Sequence, residues 1–142
     1  MGTIAEKIEV NAPLKPVWDA VIDFEARPKW EPRVKEAKVL DNGPLREGSR
    51  IRLRVDRDRF TATVVQIEPE KRLVLLVKGP GFRVHHSYAL SSGGVGTVVS
   101  MTGEYHGLVG ALVTRFMRGS LRRDLVDELT AIKHAAEGTH TG

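Results

Sequence analysis

The sequence predicts an α+β domain: a curved, seven-stranded antiparallel sheet around a long C-terminal helix, with two short helices after the first strand and an internal cavity. Three observations carry this. Alternating apolar and polar residues fill most of the chain between two helical stretches. The alternating segments are joined by short turn signals, "DNGP", "EPEK", "KGPG" and "SSGGVG", and short joints imply antiparallel neighbours because a parallel pair needs a long crossover. A single helical period then occupies the end of the chain.

Taken in order, "TIAEKIEV" alternates, with Ile4, Ile8 and Val10 on one face. "NAPLKPVWDAVIDF" switches period: Val17, Val21 and Phe24 recur at helical spacing, and Trp18 and Ile22 broaden the stripe. Asn11, Pro13 and Pro16 suit a helix entrance, where a missing N–H does no harm. "DFEARPKWEPRV" then holds Trp30 between Pro28 and Pro32, where a stiffened backbone can present an indole as a lid at the cavity mouth. Six strands follow: "VKEAKVLD", "SRIRLRVD", "RFTATVVQI", "RLVLLVKG", "FRVHHSYAL" and "GTVVSMTGEYH". From Gly110 to Ala136 one long helix is expected, striped by Leu121, Leu125, Leu129, Ile132 and Ala136, with Val113 and Met117 extending the stripe backwards. Gly119 marks a possible bend and Gly138 a stop, giving one domain over residues 1–137 and a disordered tail over 138–142. A strongly curved sheet around one helix leaves its interior incompletely filled, hence the cavity.

Composition narrows the function. With 142 residues, 41% hydrophobic and 28% charged, the chain is an ordinary single globular domain. It has no cysteine, which excludes disulfides, zinc–thiolate sites, iron–sulfur clusters and thiol catalysis. No run approaches the ~20 apolar residues of a membrane span, and "MGTIAEKIEV" has no signal-peptide core, so the expected location is cytoplasmic without integral membrane association. The net charge of +4 raises nucleic acid or an anionic membrane as a partner. The densest basic run, Arg50, Arg52 and Arg54 alternating with Ile51, Leu53 and Val55, reads as the wet face of a half-buried strand, which makes nucleic acid an unlikely partner.

The opening "IEVNAPLKPVWDAVIDFEARPKWEPRV" resembles that of the polyketide cyclase/dehydrase and lipid-transport family, within the birch-pollen-allergen-like, lipid-transfer superfamily. The matching residues are Ala12, Pro13, Val17, Trp18, Asp23, Pro28 and Trp30, and "IEPEKRLVLLVKGPG" and "GGVGTVVSMTGEY" are similar to that family's later turn and strand entrance. The resemblance implies a helix-grip (START-like) fold and a hydrophobic cavity. "VNAP", "VWD" and "VHHSYAL" are closest to the aromatase/cyclases, whose fourth strand uses an arginine and a hydroxyl. Aligned on the Pro69 turn, those positions are Val65 and Ile67, and "FTATVVQI" contains no arginine.

Candidate chemistry centres on "VHHSY". His85 and His86 point to opposite faces of a strand and cannot share one metal ion, so no metal and no cofactor is expected. Val84 and Leu90 share the parity of His86 and Tyr88, which turns those two inward. Leu90 opposite Val99 sets His86 opposite Gly103, leaving room above the imidazole, with Met101 and Tyr105 on the same inner face. Glu6 shares the parity of Ile4 and Ile8 and is the carboxylate available to His86. The expected ligand contacts are Trp30, His86, Tyr88, Met101, Tyr105, Val65, Ile67, Phe116 and Glu6. Binding of a small hydrophobic or aromatic molecule, lipid- or polyketide-like, by a monomer or homodimer is the leading reading. The alternative is a polyketide aromatase/cyclase or dehydratase with His86 and Tyr88 as the catalytic pair.

Overall fold

The structure, a computed structural model, describes the backbone of residues 2–141 and side chains as far as residue 138. Strands β1 (Gly2–Val10), β2 (Val34–Val39), β3 (Arg50–Val55), β4 (Asp58–Glu68), β5 (Arg72–Gly79), β6 (Phe82–Gly93) and β7 (Gly96–His106) form one antiparallel sheet in the order β1-β7-β6-β5-β4-β3-β2. Helix α1 (Leu14–Ile22), a 3-10 turn (Phe24–Ala26) and the single turn α2 (Arg27–Trp30) lie between β1 and β2, and α3 (Gly107–Thr141) closes the chain. The seven strands, the two short helices and the long final helix are those the sequence predicts.

Alternation decides which face each strand buries. Ile4 and Val10 of β1, Ile51 and Leu53 of β3, and Val99 and Met101 of β7 are buried on the concave face. Val17, Trp18 and Val21 of α1 join them, as do Leu125, Leu129, Ile132 and Ala136 of α3, the last four residues of the expected stripe. Arg50 and Arg52 point outward from β3, and Arg50 and Arg54 meet Asp41 and Glu36 on neighbouring chain. The basic run is a solvated, partly neutralised face.

Two local irregularities re-aim side chains. In β4 the register shifts between Val64 and Gln66, so Ala62 and Val64 face inward while Val65 is turned out, 39% exposed. In α3 the helix breaks at Met117 (φ −122°, ψ 20°), two residues before the glycine that the sequence offers as a bend. The half before the break presents Gly110 and buried Thr114 to the sheet, which leaves Phe116 74% exposed and Met117 50% exposed. The expected backward extension of the stripe therefore fails at Met117. The helix also starts earlier, at Gly107 (φ +89°), where the Val109 N–H donates to the Gly81 carbonyl. It continues past Gly138 to Thr141, because one helical glycine costs only about 1 kcal/mol. Of the expected tail, 138–141 is thus helical and Gly142 lies outside the described residues.

Candidate functional site

Between the concave face, α2 and the second half of α3 lies a cavity of about 760 Å³. Its walls are largely apolar: Phe24, Leu53, Phe60, Ala62, Leu75, Val77 and Val84 from one side, Leu121 and Leu125 from α3. One end is polar. There Arg27, Glu31, His86, Tyr88, Tyr105 and Glu128 converge, and Arg33, Asp58, Arg59, Asp124 and Asp127 also line the cavity.

Arg27 organises the polar end. It is only 2% exposed, and its guanidinium donates to Glu128 Oε2 at 2.8 Å, to both Glu31 oxygens at 3.4 Å and to the Val21 carbonyl at 2.9 Å. Its charge also sits near the rings of Phe24 (4.7 Å), Trp30 (5.3 Å) and Tyr88 (5.6 Å). Burial alone would lower its pKa, but the surrounding Tyr88, Glu128 and Glu31 outweigh that and hold it above the ordinary arginine value. Tyr88 donates its hydroxyl to Glu128 Oε2. Its phenol is pushed well above the usual tyrosine value, first by burial and then by the Glu128 charge.

The two carboxylates are held apart in character. Glu31, 8% exposed, is pushed up to about 7 by burial and then by the charge of Glu128, against the pull of Arg27. Glu128 goes the other way: burial opposes its charge, but Arg27, His86 and the Tyr88 hydroxyl outweigh it and hold the carboxyl below its ordinary value. Near neutral pH the end therefore holds one fixed anion, one fixed cation and one carboxyl poised to titrate. Farther out, Arg33 bridges Asp124 at 2.6 Å and Asp56 at 2.7 Å, tying α3 to the start of β2 and to the β3–β4 turn.

Of the residues expected from sequence, His86, Tyr88 and Tyr105 line this cavity. His86 stands opposite Gly103 in the expected register, yet the room above Gly103 is taken by the Tyr105 ring, whose hydroxyl lies 3.0 Å from where a Cβ would sit. Six other residues expected as ligand contacts lie outside the cavity lining. Trp30 is half-buried over Arg27 and is not part of the cavity wall, because α2 turns its indole against the core. Glu6 does share the inner face, but there it pairs with Arg122 of α3 at 2.7 Å and lies away from the cavity lining. Met101 is fully buried core, facing Glu6 and Tyr88 across the two ladders. Val65 is bulged outward, and Phe116 faces solvent with Arg115 beside its ring at 5.5 Å. Ile67, just past the bulge, packs against the core without lining the cavity.

Sequence reasoning missed Arg27, Glu31 and Glu128. Signals for them exist. Arg27 and Glu31 stand four apart in "RPKWE", and Glu128 interrupts an apolar stripe between Leu125 and Ile132. A carboxylate on the buried face of an amphipathic helix needs a partner, and Arg27 is that partner.

Comparison with known proteins fits this architecture. The chain superposes on a Thermus thermophilus protein with a TM-score of 0.79 at 17% identity, covering 97% of this chain and 99% of that one. It superposes on the Zhui aromatase/cyclase from Streptomyces with a TM-score of 0.77 at 17% identity, covering 96% and 93%. A START superfamily protein from Mycobacterium smegmatis gives 0.68 at 19% identity, covering 98% and 97%. No curated protein sequence matches the chain. Residues 1–137 match the family described as polyketide cyclase / dehydrase and lipid transport, and with nearly the whole chain matched and the same helix-grip fold, this protein belongs to that family.

Proposed function

We propose that the protein binds a small, largely apolar or aromatic molecule whose one polar group is neutral. The observation that carries this is the cavity itself: a volume of about 760 Å³ with apolar walls and one polar end built around an arginine already matched by carboxylates. Apolar walls supply affinity in proportion to the area they dehydrate, and the polar end supplies orientation. To reach Arg27, a ligand carboxylate would have to displace Glu128 or Glu31, whereas a hydroxyl, ketone or phenol can bond to His86 or Tyr105 with the network intact.

The test is native mass spectrometry of freshly purified protein, followed by titration with an anilinonaphthalene fluorophore. A co-purifying small molecule, or saturable 1:1 fluorophore binding that Ala62→Trp abolishes by filling the cavity, supports the reading. Absence of both, with the variant folded, overturns it.

A second reading is an aromatase/cyclase or dehydratase. It is favoured by His86 in the cavity wall, among Tyr88, Tyr105 and Glu128. His86 would take a proton from an acidic C–H next to a carbonyl and return it to a leaving hydroxyl. Tyr88 fits an orienting role better than a proton-donating one, since its hydroxyl is already given to Glu128. Product formation from a poly-β-keto substrate, lost in His86→Gln, separates turnover from binding.

A further inference from the structure

We propose that His85, Glu104 and His106 form a binding site for a divalent transition metal, best matched to Zn²⁺, on the outer face of the sheet. His85 and Glu104 are cross-strand partners in the β6–β7 ladder, and His106 is two residues along β7 on the same face. One donor atom of each lies within 4.8 Å of the other two. The two imidazole rings stand 5.6 Å apart and nearly perpendicular, at 88°.

A second observation points to a ligand. Among the described residues, His85 Nδ1 is a buried polar atom with no hydrogen-bond partner. A buried nitrogen of this kind is costly unless something occupies its lone pair or takes its proton, and a metal ion does the former.

The donor set suits the ion. Two imidazoles and a carboxylate are a common zinc set, with bonds of about 2.0–2.1 Å that place tetrahedral donors about 3.4 Å apart. Small side-chain rotations close the gap, because Glu104 is exposed and both histidines are only partly buried. Three protein ligands leave a fourth position for water. Arg83, opposite His106, is the nearest opposing charge in the ladder, and Glu104 offsets it. An ion here would fasten the end of β7, one residue before α3 begins, to β6. The adjacency of His85 and His86 in sequence hides this site, because the pair that matters spans two strands.

The test uses the metal-free chain titrated with Zn²⁺ against a chromogenic zinc indicator, and with Co²⁺ followed by its visible absorption. Expected is one ion per chain, with the tetrahedral cobalt band appearing at the same stoichiometry. Glu104→Gln should weaken binding by at least about tenfold and His85→Ala/His106→Ala by more. His134→Ala, on α3, should change nothing. Because the three side chains lie on the outer face, circular dichroism should report unchanged fold in every variant. Absence of stoichiometric binding by the unmodified chain, or equal binding by the double histidine variant, overturns the site.

Discussion

Arg27 and Glu128, 101 positions apart in sequence, meet at 2.8 Å and tie α2 to the middle of α3 at the polar end of the cavity. Both side chains are largely buried, so each charge depends on the other for its tolerance. Removing one partner should cost much more than removing both. Arg27→Met and Glu128→Leu alone are each expected to lower stability by about 3–5 kcal/mol, and the double variant to recover much of that loss. Urea denaturation of the four proteins measures the coupling, and additive losses would show that the pair is not mutually dependent.

Glu31 gives the fold a pH dependence of defined sign. Its carboxyl sits at about 7 in the folded protein against an ordinary 4.5, so the folded state holds a proton that the unfolded chain releases earlier. The stability tied to that proton is fully present below the ordinary value and is lost as pH rises through about 7. Glu31→Gln keeps the shape and removes the titration. The variant should gain on the wild-type chain by about 1–3 kcal/mol between pH 5 and pH 8. Parallel stability profiles across that range would mean that Glu31 ionises normally.

Ligand preference follows from the occupied arginine. Among aromatic or aliphatic probes of equal size, those ending in a hydroxyl or ketone should outbind those ending in a carboxylate by at least about tenfold, roughly 1.4 kcal/mol. Fluorophore displacement ranks them. A preference for carboxylates would place Arg27, not His86 or Tyr105, at the ligand's polar group.

The two tryptophans should differ in kind. Trp18 is 5% exposed in the core, so Trp18→Ala should cost about 3–5 kcal/mol. Trp30 is half-buried against the Arg27 guanidinium, so Trp30→Ala should cost less and weaken probe binding only through Arg27. In a Trp18→Phe background the remaining indole should shift little when the cavity fills. A strong blue shift on ligand addition would restore Trp30 as a lid.

The sequence by itself determined the strands, the antiparallel pairing of neighbours joined by short turns, and which face most of them bury. Period-two alternation and short turns are local signals, and Ile51, Leu53, Leu90 and Val99 obey them. It also set the β6–β7 register, since Leu90 and Val99 must share the inner face, and that placed His86 and Tyr88 in the cavity wall. Only the tertiary structure decided the rest. A bulge after Val64 reversed the parity of β4, and a break at Met117 turned Phe116 out to solvent; neither leaves a periodic trace. Arg27 with Glu128, and His85 with His106, are brought together by the closing of the sheet over α3 and by cross-strand pairing. Local periodicity records which side a residue faces, whereas partnership between distant charges depends on how the layers meet.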